Sequence, residues 1–201
     1  MNETLIHIAN GRVIDPQSGL DQIADVFLAD GLVAGIGQAP GGFSATRTID
    51  ASGCIVCPGL VDLSARLSGV ESELVAAVAG GITSLACPPD TTPPLDEPGL
   101  VERIVRRSES VGLAHVYPIG ALTQQLAGEK LAEIATLTKA GCVAFSQAQK
   151  PLIDTLVLLR AMQYAATFGA VIHLQPQEHY LARDGVAHDG EIASRLGLGG
   201  T

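Results

Sequence analysis

Residues 58–67 read PGLVDLSARL, and the pattern on either side of them decides the fold. With residues 55–57 placed before it, IVCPGLVDL (55–63) is a strand candidate, and ESELVAAVAG (71–80) after it has helical composition and length. The alternation then repeats. GITSLAC (81–87) is a second strand, and PPDTTPPLDEPG (88–99) is too rich in proline for either element, so it is a long loop. GLVERIVRRSE (99–109) is a helix, and HVYPIG (115–120) is a third strand that Pro118 is expected to interrupt or end. TQQLAGEKLAEIATLTKAG (123–141) is a helical region stopping at Gly141, and CVAFSQ (142–147) is a fourth strand. PLIDTLVLLRAMQYAATFG (151–169) is a helix with Pro151 in its first turn and Leu152, Leu156, Leu159 and Gln163 at helical spacing. AVIHLQ (170–175) is a fifth strand, and DGEIASRLG (189–197) opens a further helix.

Strands that alternate with helices require a mostly parallel sheet with right-handed crossovers, either doubly wound or a (β/α)8 barrel. No GxGxxG follows a strand and no GxxxxGK[ST] occurs, so the nucleotide-binding versions have no support. A barrel normally takes about 250 residues. With 201 residues and five strands, the chain reads as roughly three units short of one, a fragment or one piece of a broken chain.

Upstream the pattern is different. Residues 1–54 form an N-terminal β module and residues 55–201 the α/β part. In the former, LIHIANGRVID, a PQSG turn and IADVFLADGLVAGIG are short strands, with Asn10-Gly11 and Asp30-Gly31 as hairpin signals.

The composition narrows the function classes. A formal charge of −9 leaves few basic residues, with Arg103, Arg106 and Arg107 the one basic cluster, so nucleic acid is excluded as a partner. No uninterrupted apolar run is long enough for a membrane span, and MNETLIHIANGR lacks the features of a signal peptide, so a cytoplasmic location is expected. The four cysteines, Cys54, Cys57, Cys87 and Cys142, read as small buried hydrophobes. On a strand, Cys54 and Cys57 would point to opposite faces and could not grip one metal ion.

Four segments carry a family resemblance. PGLVDLSARL resembles the barrel entry of dihydroorotases and related cyclic amidohydrolases, where the pattern is PG-hydrophobic-hydrophobic-D-hydrophobic-His-x-His-x-Arg. ACPPDTTPPLDEP resembles that family's substrate loop MPNTxPxxD, CVAFSQAQ its AFSDDG strand, and AVIHLQPQEHYL its HxED strand. The order and spacing agree along nearly the whole chain. The resemblance implies an amidohydrolase-type (β/α)8 barrel, with about its first five β/α units present, preceded by a small β-sandwich module.

The departures from the family pattern are as specific as the matches. Where the family has its two metal histidines this chain has Ser64 and Arg66, and an arginine has no lone pair to offer. The substrate-binding arginine falls at Ser68, the acidic pair at Gln147 and Ala148, and the loop asparagine at Asp90, whose charge would repel an anionic dihydroorotate. Lys150 lies past the strand end, away from where a bridging carboxylated lysine would sit. His173 alone keeps a ligand type, and is expected to be a leftover that hydrogen-bonds at the strand end. His7, His115, His179 and His188 read as surface residues.

A catalytic zinc site ordinarily needs three protein ligands and an open position, so no cofactor is expected and no residue is assigned as catalytic. The resemblance implies the group of non-catalytic dihydroorotase homologues that associate with the aspartate carbamoyltransferase catalytic subunit in pyrimidine biosynthesis, with a homo-oligomeric state expected. Two alternatives stay open: a zinc-dependent cyclic amide hydrolase whose ligands are completed by a C-terminal half, and a metal-free binder of a small cyclic ligand.

Overall fold

The computed structural model describes residues 4–182 and 185–200. The chain forms two compact units, Met1–Gly59 and Leu60–Thr201.

In the first unit, β1 (Ile6–Asp15), β2 (Leu20–Ala29) and β3 (Leu32–Ile36) form an antiparallel meander, and β4 (Arg47–Asp50) and β5 (Ile55–Val56) both pair parallel with β1. These strands make one sheet, where two facing layers of a sandwich were expected. Asp30-Gly31 turns the β2–β3 hairpin with both residues at positive φ. Asn10-Gly11, the other expected hairpin, lies inside β1 at a register shift between Ile8 and Gly11, with Asn10 at φ 62°. A bulge and a tight turn use the same left-handed backbone, so the dipeptide alone does not separate them. Gly11 is required there by space, because a Cβ would come within 2.4 Å of Val56 Cγ2. Asp25 fastens the bulge by accepting from the Asn10 amide at 2.9 Å; that bond and His7 Nε2, 3.0 Å away, hold its carboxyl below the usual range. His7, expected on the surface, is half-buried and stacks on Phe27 with ring centroids 4.7 Å apart.

The strand expected over 55–63 is two strands. Ile55 and Val56 join the first sheet, the chain breaks at Cys57-Pro58-Gly59, and β6 (Leu60–Asp62) opens the second unit. Pro58 offers no amide to a ladder, which accounts for the interruption. Cys54 and Cys57 are consequently exposed, whereas Cys87 and Cys142 are buried as expected.

The second unit follows the β/α alternation: α1 (Val70–Ala79), β7 (Ile82–Cys87), α2 (Pro98–Val111), β8 (His115–Ala121), α3 (Ile134–Ala140), β9 (Ala144–Ser146), α4 (Thr155–Ala166), β10 (Val171–His173) and α5 (Glu191–Leu196). All strand pairs are parallel and the sheet order is β6-β7-β8-β9-β10. A doubly wound sheet reverses its order at a switch point. This one never does, which makes it five consecutive strands of a (β/α) barrel.

Period-two alternation divides the sheet's faces. Leu85, Cys87, Val116 and Phe145 pack with Leu74, Val101 and Ile134 into the main core, while Ala86, Ile119 and Ala144 form a small cluster of their own.

Three local expectations change. Pro118 does not end β8, because its carbonyl accepts from Val143 N at 3.0 Å and its missing amide falls ahead of the first residue of β9. Only residues 134–140 of the helical region 123–141 are α-helical; before them come a 3-10 turn at Gln124–Leu126 and a bridge from Thr123 to Leu131. Helix α4 starts at Thr155, after Pro151, because the Asp154 carboxylate caps it by accepting from Leu156 N at 2.8 Å. Its buried face is Ala161 and Ala165, while Leu156 and Leu159 are about half exposed, at 49% and 51%.

Candidate functional site

The site grows from the C-terminal ends of the parallel strands, where barrel chemistry sits. Past β6, Asp62 Oδ1 accepts from Ser64 N at 2.9 Å and Ala65 N donates to Ala86 O at 2.9 Å, so the chain still tracks β7. Ser64 and Arg66 therefore stand at alternate, exposed positions.

Arg66 does not reach for a ligand. Its Nε donates to Asp90 Oδ2 at 2.7 Å. Asp90, whose charge is expected to repel an anionic substrate, is thus paired with a cation. Its other oxygen, Oδ1, is buried without a partner among the described residues. The loop that presents Asp90 is held by Leu95 N to Pro89 O (3.0 Å) and Ala121 N to Leu95 O (2.9 Å), with Leu95 1% exposed. Asp96 Oδ2 ties it further by accepting from Gln125 N at 2.7 Å and Gln125 Nε2 at 3.0 Å.

Ser68 is tied up as well. Its hydroxyl donates to Glu73 Oε1 at 2.6 Å, and the Ser68 and Gly69 amides donate to the same carboxylate at 2.9 and 3.0 Å. Partial desolvation pushes Glu73 up, but these donors together outweigh it and hold the carboxyl below its usual value.

Gln147 is 2% exposed and its Oε1 accepts from Thr123 Oγ1 at 2.9 Å, while that hydroxyl accepts from Gly128 N at 2.9 Å. The amide at this formerly acidic position thus serves as an internal tie between the end of β9 and the loop after β8. Ala148 follows at φ 54°, strained for a residue with a Cβ, with its amide donating to Ser146 Oγ at 3.0 Å. Lys150 is exposed beyond this turn. His173, at the end of β10, is exposed, and its ring makes no hydrogen bond among the described residues.

The predicted residues divide between two hollows. Ser64, Arg66, Ala148 and His173 line one of about 300 Å³ at the strand ends, together with Ser146 and Gln175. Ser68 and Asp90 line another of about 620 Å³ beside α2, and Arg66 borders both. Gln147 is buried behind the first.

The donor set of the strand-end hollow does not fit a metal ion. Its lining contains one residue of ligand type, His173, beside a cation, hydroxyls and neutral amides. Among the described residues no three His, Cys, Asp or Glu side chains are grouped closely enough to hold one. The buried thiols offer no alternative chemistry, since burial pushes Cys87 up to about 11 and Cys142 to about 12.

Sequence reasoning missed Thr123 and Glu73, which carry no motif, and the Arg66–Asp90 pair. For the pair a signal existed: an unexpected cation at one family position and an unexpected anion at another are complementary substitutions.

Comparison with known proteins agrees with this frame. Residues 53–201 match the family profile described as dihydro-orotase-like. A dihydroorotase-like protein of Pseudomonas putida is 48% identical over 203 aligned residues, covering 97% of this chain and 48% of that protein. A dihydroorotase of Citrifermentans bemidjiense is 40% identical, over 96% of this chain and 47% of its own length. The chain therefore spans about half the length of the curated relatives it matches. Among solved structures, L-hydantoinase (dihydropyrimidinase) from Arthrobacter aurescens superposes with a TM-score of 0.73 at 24% identity, over 89% of this chain and 42% of that one, a likeness of fold. Among the described residues no helix is long and apolar enough to cross a membrane.

Proposed function

Because this chain belongs to the dihydroorotase-like family and, on the family resemblance, carries an arginine and a buried neutral amide at metal-ligand positions, the arginine paired with Asp90 of the substrate loop, we propose that it is a non-hydrolytic member acting as a structural subunit. The observation that carries this reading is the Arg66–Asp90 bond of 2.7 Å. Hydrolysis of a cyclic amide in this family calls for a metal-activated water and a positively charged clamp for the substrate carboxylate. Here one former histidine position holds a guanidinium, which cannot coordinate a cation. The charge it brings is already neutralised by Asp90, and Ser68, at the clamp position, spends its hydroxyl on Glu73.

A scaffold that keeps its fold while its site residues bond to one another is suited to contacts between subunits. The partner we propose, from the family resemblance, is the aspartate carbamoyltransferase catalytic subunit, in the cytoplasm, with this protein joining its trimers. Sedimentation of the carbamoyltransferase alone and mixed with this protein at equal subunit concentration tests the assignment. A larger co-sedimenting species containing both chains is expected, and unchanged sedimentation of the carbamoyltransferase would refute the partnership.

A further inference from the structure

We propose that the hollow of about 620 Å³ beside α2 is an anion site in which Arg103 holds the carboxylate or phosphate of a small organic ligand. Its apolar part would rest on Leu67, Val70, Leu95 and Ile104. The chain as a whole carries a formal charge of −9, yet Arg66, Arg103 and Arg107 converge on this one concavity. Two of the three cations that line it are already matched, Arg66 by Asp90, which lines the hollow as well, and Arg107 by Glu71.

Arg103 has no carboxylate partner among the described residues. It stands three and four residues before Arg106 and Arg107 on the same helix, whose charges Glu102 and Glu71 already offset, so Arg103 is the cation left for a ligand. Arg103 and Arg107 also border a second, more open hollow of about 420 Å³. Guanidinium forks match the paired oxygens of carboxylates and phosphates, which sets the ligand class. The hollow is distinct from the strand-end hollow that contains His173, and the inference holds whether or not the protein hydrolyses anything.

Calorimetric titration of the protein at low ionic strength with succinate, and separately with inorganic phosphate, tests it. At least one anion should saturate with a Kd of about 1 mM or tighter; the one that does identifies the ligand as a carboxylate or a phosphate, and saturation by both leaves the oxyanion assignment in place. Arg103→Ala and Arg103→Gln should each weaken it about tenfold or more, whereas Arg160→Ala, on α4 and outside the hollow, should not. Arg103 is exposed, so both variants are expected to keep the wild-type circular dichroism. No saturation by either anion, unchanged binding in the Arg103 variants, or an equal loss in Arg160→Ala would overturn the proposal.

Discussion

Arg66 and Asp90 explain each other. An arginine alone at a former ligand position would place an unmatched cation at the barrel mouth, and an aspartate alone in the loop an unmatched anion with one oxygen already buried. Together they form a half-exposed pair, with side chains 50% and 25% exposed, so the bond itself contributes only about 0.5–1 kcal/mol after solvent screening. Breaking it from one side costs more than removing both charges, because the surviving carboxylate keeps its desolvated oxygen and loses its only side-chain donor. Arg66→Ala should therefore destabilise the protein by about 1–2 kcal/mol, and adding Asp90→Asn should restore part of that. Urea denaturation of the two single variants and the double variant measures the coupling, and strictly additive losses would show that the two side chains are independent. Each substitution is visible in the sequence as a departure from the family pattern. Their bond is not, since 24 residues separate them and only the β6–β7 register brings them together.

At the scale of elements, the β/α order was readable because hydrophobic periodicity and turn residues survive in the chain, while the boundaries were not. Residues 55–63 look like one apolar strand, but Pro58 interrupts the ladder and the pairing partners differ on its two sides, β1 for Val56 and β7 for Leu60. The region 123–141 has helix-forming composition throughout. Its first part is diverted by the Thr123 hydroxyl, which serves Gly128 and Gln147 and holds a loop in place of a helical turn. On α4 the spacing of leucines picked out a face that is half exposed, while the side chains that meet the core are Ala161 and Ala165, with Tyr164 partly buried beside them. The β8–β9 contact shows how close such packing is: a Cβ on Gly120 would lie 2.7 Å from the buried Phe145 ring and 3.1 Å from Cys142 Sγ. Gly120→Ala should consequently lower stability by about 1–3 kcal/mol through overpacking. Thermal denaturation checks this, and a Tm at or above the wild-type value would contradict the packing described for β8 and β9.

For the whole molecule, four separated segments sufficed to assign the family, and the sequential parallel sheet and the profile match over residues 53–201 agree with that assignment. What the segments could not convey is how the altered positions are used: Gln147 as an internal tie, Ser68 as a donor to Glu73, and Arg66 as the partner of Asp90. These bonds tie the side chains at those positions to one another, while Asp90 Oδ1 and Gln147 Nε2 stay buried without a partner among the described residues. The proposed non-hydrolytic role requires that the strand-end hollow hold no metal ion. The most direct test is elemental analysis of zinc-supplemented protein after gel filtration, with dihydroorotate turnover assayed on the same sample. The account predicts less than about 0.1 zinc per chain and no turnover above buffer, given that three protein ligands are ordinarily needed to hold a catalytic zinc. About one zinc or more per chain together with measurable hydrolysis would contradict it, and would mean that ligands other than those at the family positions gather around His173.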